Sequence, residues 1–187
     1  MELMKSLYYS LITTAFGDVG IAWRHKDDTP FVVRIVLPRE NEKTDNVVRQ
    51  SFPGLMKRSH HSVEQLCVKI QKFLEGQEIN FSAEILDMSV CGEFQRTVLY
   101  QSMLIPRGKI SMYGHLAKRV GRQKSARAVG MALAKNPFPL IIPCHRIIRA
   151  DGDLCGFGGG LKMKKALLSM EGVKFDSRGR VLQKFFW

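Results

Sequence analysis

A cysteine and a histidine stand side by side at positions 144 and 145, in the segment PLIIPCHRIIRADG. A thiol becomes a useful nucleophile when a base or a positive charge favours its thiolate, so Cys144 is a candidate for nucleophilic catalysis. Three prolines within KNPFPLIIPCHR exclude a regular helix, and we expect an extended strap. Adjacent side chains on such a strap point to opposite faces, which favours a bridging water between Cys144 and His145 over direct contact.

A histidine that acts as a base also needs a carboxylate to orient it, and acidic residues are scarce in this half of the chain. One of them, Glu171, ends the helix predicted for LKMKKALLSMEG. A carboxylate at a helix C-terminus opposes the helix dipole by ~0.3 to 1 kcal/mol, so Glu171 needs a cation or proton donor nearby. Cys144, His145 and Cys155 lack the paired C-x-x-C spacing of a zinc site, and we predict no metal.

The first part of the chain predicts a small α+β domain without visible chemistry, over residues 1–88. Residues 5–14, 19–24 and 31–37 are rich in β-branched and aromatic residues and predict an antiparallel meander. Residues 39–50 are polar and predict a loop. Apolar residues at helical spacing predict a helix over 61–76, with Cys67 in its core face.

The second part, residues 89–187, predicts a mainly helical domain. Two short helices at about 112–120 and 126–135 flank a glycine-containing turn, a pattern typical of a helix-turn-helix. In the second helix Ala126, Gly130 and Ala134 form a ridge of small side chains beside Arg127. Gly130 costs about 1 kcal/mol in a helix interior, which indicates close approach to another surface, either a helix of the same protein or a partner.

Charge separates the two parts of the chain more sharply than composition does. Residues 1–91 hold 11 Lys and Arg against 12 Asp and Glu, whereas residues 92–187 hold 18 against 5. Such an excess predicts a polyanionic partner for the second part, because basic side chains that neutralise phosphates release condensed counterions. A basic surface that only aids solubility is the alternative. No apolar run reaches the ~18 residues of a membrane span, and we expect a soluble, intracellular protein with reduced cysteines.

These motifs together resemble the O6-alkylguanine-DNA alkyltransferase family. IPCHR is preceded by SMYGHLA, ARAVG and NPFP and followed by the loop CGFGGG and a helix that ends in MEG, all in the order of that family. The resemblance covers about residues 92–175. It implies an α+β protein that acts in the cytoplasm of a prokaryote or the nucleus of a eukaryote, as a monomer that could cluster along DNA.

The resemblance implies a single-use transfer that needs no cofactor. Cys144 would take the alkyl group from O6 of guanine, and by extension from O4 of thymine, and keep it. His145 would deprotonate Cys144 through a water molecule, while Glu171 orients the imidazole. Asn136 would brace the helix-turn-helix against the cysteine segment.

The resemblance also implies double-stranded DNA containing O6-alkylguanine as the partner, with the damaged base flipped out of the duplex. Arg127 would fill the gap that the base leaves, and Tyr113 would crowd the adjacent phosphate and donate a hydrogen bond to the guanine. Three small residues of the second helix would approach the minor groove, namely Ala126, Ala128 and Gly130. The base pocket would be formed by Pro139, Ile147, Phe157 and Gly158, with the backbone at Cys144 and Ile147 reading the exocyclic amine.

The glycine loop departs from the family pattern in two places. Where the family often has tyrosine and serine this chain has Phe157 and Gly158, and Cys155 stands where glycine is expected. Three other functions compete with alkyl transfer: a damage sensor without chemistry, a helix-turn-helix transcription regulator and a thiol hydrolase. The sensor would lack the cysteine, the regulator would leave Cys144 and Glu171 unused, and the hydrolase has no visible substrate cleft.

Overall fold

The computed structural model describes residues 7–187, which form two compact units. One unit ends at Val90 and the other begins at Cys91. Residues 7–187 contain six α-helices, a four-stranded sheet and a two-stranded sheet. The predicted α+β class is confirmed.

The N-terminal unit is built on a sheet in the order β3-β2-β1-β4. Three antiparallel strands, β1 (Leu7–Thr14), β2 (Gly17–Lys26) and β3 (Thr29–Val36), form the predicted meander, with Leu7 opposite Arg24 and Gly20 opposite Val36. The short strand β4 (Met56–Lys57) pairs parallel with β1. The sheet is therefore mixed, whereas the sequence predicted a purely antiparallel one.

Two helices, rather than the single one predicted, pack against this sheet. The polar loop predicted for residues 39–50 is wrong, because α1 (Thr44–Ser51) occupies most of it. Val48 is fully buried in a core cluster with Tyr9 and Ala22, and this apolar contact stabilises the helix. The polar composition of the segment gave no sign of a helix. The single predicted helix is confirmed as α2 (His61–Leu74), whose buried face includes Cys67.

The C-terminal unit is mainly helical, as predicted. It contains α3 (Glu93–Met103), α4 (Tyr113–Arg119), α5 (Ala126–Ala134) and α6 (Gly160–Met170). The predicted helix-turn-helix is confirmed as α4 and α5, and Gly121 in the connection has φ +72°, a left-handed conformation that favours glycine.

A short parallel ladder brings the helix-turn-helix next to the cysteine segment. Strand β5 (Ser111–Met112) pairs with β6 (Ile147–Ile148), so that the first residue of α4 follows one strand and the Cys144 turn precedes the other. Below this ladder, Ile110 and Leu168 belong to a buried cluster that Phe185 and Phe186 of the C-terminal segment cover. No helix in residues 7–187 combines the length and apolarity needed to cross a bilayer.

Candidate active site

Cys144, His145 and Arg146 form one turn of 3-10 helix, so the extended strap predicted here is wrong at the cysteine itself. Pro143 has φ −79°, close to the value a helical turn requires, and its carbonyl accepts a hydrogen bond from the Arg146 amide at 3.0 Å. Side chains around a turn are not forced onto opposite faces in the way that strand residues are. The backbone at Cys144 and His145 therefore does not force their side chains apart, contrary to the argument made for an extended strap.

The segment before the turn is braced by Asn136, which follows α5. Its carbonyl oxygen accepts from the Phe138 amide at 2.9 Å, and its amide nitrogen donates to the Ile142 carbonyl at 3.2 Å. The same side chain also lowers the pKa of the Cys144 thiol, because it can donate to the thiolate. Leu140, inside this braced loop, has φ +75°, a conformation costly for a leucine that the surrounding contacts must stabilise. Asn136 thus links the end of α5 to the sulfur.

Glu171 finds the proton donor and the cation that its position at the end of α6 requires. Nε2 of the fully buried His145 lies 2.9 Å from Oε1 of Glu171. Arg146 donates from Nε to Oε2 at 2.9 Å and from Nη2 to Oε1 at 2.8 Å, while its Nη1 donates to the Ile105 carbonyl at 2.8 Å. This two-point contact fixes the plane of the carboxylate and therefore the orientation of the imidazole.

The protonation states follow from these contacts. Burial by itself would raise the pKa of Glu171, but the hydrogen bonds from His145 and Arg146 outweigh it and lower that pKa to about 2. Burial lowers the pKa of His145 more than the Glu171 carboxylate raises it, so the imidazole is neutral at pH 7. A carboxylate can only accept, so Nε2 carries the hydrogen and Nδ1 is the basic nitrogen of His145.

Cys144 is partly buried, as a whole residue, in this turn. Burial raises its pKa, while the Asn136 hydrogen bond and the positive charge of Lys164 lower it without cancelling that rise. The thiol is therefore protonated at neutral pH in the unliganded protein and needs a base before it can attack. A neutral imidazole held by a carboxylate, next to the cysteine in the chain, is such a base.

Two residues of the site were missed in the sequence. Arg146 lies within the motif itself. The sequence signal for its role was a basic residue directly after the candidate base His145. Lys164 is fully buried, and its Nζ donates to the Ile147 carbonyl at 2.7 Å and the Cys155 carbonyl at 2.9 Å. It falls on the same helical face as Leu167 and Leu168, so the periodicity of α6 marks it as an inward-facing cation.

The residues predicted to contact DNA lie on α4 and α5. Arg127 and Ala128 are exposed, and Ala126 and Gly130 are partly buried. A Cβ added to Gly130 would lie 3.7 Å from the Tyr113 ring, an ordinary contact. Packing inside the protein therefore leaves room for alanine at position 130, and of the two explanations for this glycine a partner surface is favoured.

The predicted base-pocket residues are only partly brought together. The Phe157 ring meets the His145 ring edge-on, with centroids 6.3 Å apart, and Gly158 is exposed in the same loop. Pro139 and Ile147 are buried, and the Ile147 carbonyl already accepts from Lys164. In residues 7–187 no group of three or more His, Cys, Asp or Glu side chains could hold a metal ion.

Comparison with known proteins assigns the chain to a family. Residues 93–173 match the family described as 6-O-methylguanine DNA methyltransferase, DNA binding domain. A methylated-DNA–protein-cysteine methyltransferase of Methanothermobacter thermautotrophicus is 40% identical over 161 residues, which cover 86% of this chain and 83% of that protein. One of Saccharolobus solfataricus is 36% identical over 168 residues, covering 90% and 97%.

A solved structure is similar over nearly the whole chain as well. The crystal structure of Mycobacterium tuberculosis OGT in complex with DNA superposes with a TM-score of 0.70 at 26% identity, covering 88% of this chain and 92% of that one. The length of these matches and the identity of the relatives leave one conclusion: the chain belongs to the methylated-DNA–protein-cysteine methyltransferase family.

Proposed function

We propose that this protein repairs DNA by transferring an alkyl group from O6 of guanine directly to the sulfur of Cys144, once per molecule. The observation that carries the proposal is the buried contact between Glu171 and His145, in the turn that also holds the partly exposed residue Cys144. The names of relatives that are 36–40% identical over most of the chain support the same reaction.

The relay supplies the proton transfer that a protonated thiol requires. Neutral His145 takes the proton of Cys144 through a water molecule, and the resulting imidazolium is stabilised by the Glu171 carboxylate at 2.9 Å. The thiolate attacks the alkyl carbon, the carbon–O6 bond breaks and its electron pair stays on guanine. The proton returns from the imidazolium to the base, which becomes unmodified guanine, while Cys144 becomes a thioether. A thioether is a poor leaving group, so the protein is consumed.

The basic half of the chain supplies the DNA contacts. O6 lies inside the base stack. Extrusion of a base costs on the order of a few kcal/mol, and less for a damaged base whose pairing is weakened. The small side chains of Ala126, Ala128 and Gly130 allow α5 to approach the minor groove, and the exposed Arg127 fills the gap in the stack. Tyr113, which touches the Gly130 face of α5, contacts the flipped nucleotide.

The same displacement would act on O4 of thymine, because that oxygen carries its alkyl group on a comparable carbon–oxygen bond. The pocket residues Pro139, Ile147, Phe157 and Gly158 then decide the order of preference between the two bases. A competition between duplexes that carry one lesion each measures that order.

A single-turnover experiment tests the proposal. The protein is incubated with a duplex that carries one O6-methylguanine with an isotopically labelled methyl group. We expect one label per protein, located by peptide mass spectrometry on Cys144, and unmodified guanine in the DNA. DNA binding without label would instead indicate a damage sensor or a regulator, and repeated turnover with release of the label would indicate a hydrolase.

Matched cysteine variants separate chemistry from binding. Cys144→Ala should abolish transfer and leave affinity for the duplex nearly unchanged, since the basic surface is intact. Cys67→Ala, which removes a thiol from α2 of the other unit, should transfer as the wild type does. If Cys144→Ala loses binding and transfer equally, the assignment of roles is wrong.

A further inference from the structure

Cys155 opens the glycine loop, and the proposed transfer does not use it. Its sulfur lies 3.0 Å from the Tyr113 hydroxyl and 3.9 Å from Nζ of Lys164. Its carbonyl accepts a hydrogen bond from the same Nζ at 2.9 Å. One residue therefore connects a phenol at the start of α4 to a buried cation on α6.

Tyr113 is held at both ends of its side chain. The ring packs beside Gly130 of α5, and the hydroxyl meets the Cys155 sulfur. Burial, the Cys155 contact and the negative charge that Cys144 would carry all raise the pKa of Tyr113, so the phenol lies within electrostatic reach of both thiols. The phenol therefore keeps its proton. Tyr113 directly follows β5, which pairs with β6, the strand after the cysteine turn.

Lys164 makes the position of Cys155 rigid. The ammonium is fully buried and joins the Ile147 carbonyl, in the strand after the cysteine turn, to the Cys155 carbonyl. Charged hydrogen bonds in such a site are stronger than neutral ones, and leaving either carbonyl without its donor would be costly. The sulfur of Cys155 is consequently presented to Tyr113 from a fixed backbone, although the loop that follows is rich in glycine.

We infer that Cys155 is a positioning residue for the transfer step, whose sulfur holds the Tyr113 hydroxyl in place for its contact with the flipped guanine. The inference rests on the proposed function. It concerns Cys155 itself, which acts through Tyr113 and touches neither the alkyl group nor Cys144 in the reaction.

Loss of the sulfur should therefore slow the reaction without weakening binding. Cys155→Ala removes the hydrogen-bonding partner of the Tyr113 hydroxyl, and we expect the transfer rate constant at saturating DNA to fall about three- to tenfold, the size of effect expected from the loss of one neutral hydrogen bond. The DNA concentration at half saturation should stay within twofold of the wild type. Cys155→Ser, which keeps a hydrogen-bonding group there, should recover most of the rate.

A double-mutant cycle identifies Tyr113 as the group through which Cys155 acts. In a Tyr113→Phe background, Cys155→Ala should have little further effect on the rate constant, because the hydroxyl is already absent. Cys91→Ala, which removes a different thiol of the same unit, serves as the control. Thermal unfolding of every variant separates a loss of rate from a loss of fold. If Cys155→Ala does not fold, the cycle is run with Cys155→Gly, which also removes the sulfur.

The outcomes distinguish this inference from the proposed function. If the wild type acquires no label, the proposed function fails. If the wild type is active but Cys155→Ala matches it, or if the effects of Cys155→Ala and Tyr113→Phe simply multiply, the positioning role is wrong and alkyl transfer stands. Label on Cys155 would also overturn the positioning role, since that cysteine would then be a second acceptor of the alkyl group.

Discussion

Two cysteines, Cys67 in the N-terminal unit and Cys144 in the C-terminal unit, show what separates a packing thiol from a reactive one. Cys67 lies on the apolar face of α2, where burial and the nearby Glu64 carboxylate raise its pKa to about 11. Burial also raises the pKa of Cys144, but Asn136 and Lys164 act against that rise. Burial alone makes a thiol inert, and the polar groups around it decide whether it can react.

The same contrast holds for two buried carboxylates. In the N-terminal unit Asp87 binds Arg24 and the hydroxyl of Ser89. In the C-terminal unit Glu171 binds Arg146 and also His145. In both units an arginine neutralises the buried carboxylate. Of the two carboxylates, only Glu171 also binds a histidine, which can accept and donate a proton. An arginine therefore stabilises a carboxylate in either unit, and the histidine makes one of them part of a relay.

The largest effect should come from removing the base. His145→Gln should lower the single-turnover rate of methyl transfer by roughly 10²- to 10⁴-fold, the usual contribution of general base catalysis. Asp87→Asn alters the other buried carboxylate and should leave that rate within twofold. Quantification of labelled protein against time measures both. A His145→Gln variant of wild-type rate would show that Cys144 ionises without the relay.

The second largest effect should be a loss of stability of the C-terminal unit in acid. The folded pKa of Glu171 is about 2, below its ordinary value of 4.5, so its contribution to stability is complete above pH 4.5 and is lost as the pH falls toward 2. That contribution is roughly 3 kcal/mol. The pKa of His145 is also lowered, so its contribution is complete above about pH 6.5 and declines below that value.

Tryptophan fluorescence can follow the two units separately, because Trp23 lies in one and Trp187 in the other. In a Trp23→Phe variant the signal of Trp187 reports urea unfolding of the C-terminal unit between pH 7 and pH 3. Glu171→Gln should be less stable at pH 7 and should lose less on acidification. Equal pH dependence with and without Glu171 would contradict the assigned pKa.

Chemical labelling should distinguish the two thiols by a smaller factor. At pH 8 we expect iodoacetamide to modify Cys144 about 30-fold faster than Cys67, because the thiolate is the reactive species and Cys144 is partly exposed. Peptide mass spectrometry of a time course measures both rates in one sample. Comparable rates would mean that the polar surroundings of Cys144 do not offset its burial.

The smallest effect should follow loss of the buried cation. Lys164→Met removes the charge that lowers the Cys144 pKa, and we expect iodoacetamide labelling of Cys144 to slow about fivefold while Cys67 is unaffected. Lys165→Met is the matched control, because it removes the next lysine of α6, which is exposed. If both variants label alike, the charge of Lys164 does not reach the sulfur.

Local patterns were sufficient for much of the fold. Helix α2 followed from apolar periodicity, the meander from runs of β-branched and aromatic residues, and the pair α4 and α5 from two short helices around a glycine-containing turn. All three signals are set within one element or one connection. Helix α1 was missed because its stability comes from Val48 packing on the sheet, a contact with residues far away in the sequence. The turn at Cys144 was missed because Pro143 fits the start of a helical turn as well as an extended segment.

The order of residue types along the chain determined that Cys144 and His145 are neighbours, that basic charge concentrates after residue 91 and that α5 carries small residues beside Arg127. Tertiary structure alone decided which groups surround them. Glu171 reaches His145 across 26 positions, and Cys155 reaches Tyr113 across 42. Contacts over such distances depend on the path of the whole chain, and the pKa of each group depends on those contacts and on burial.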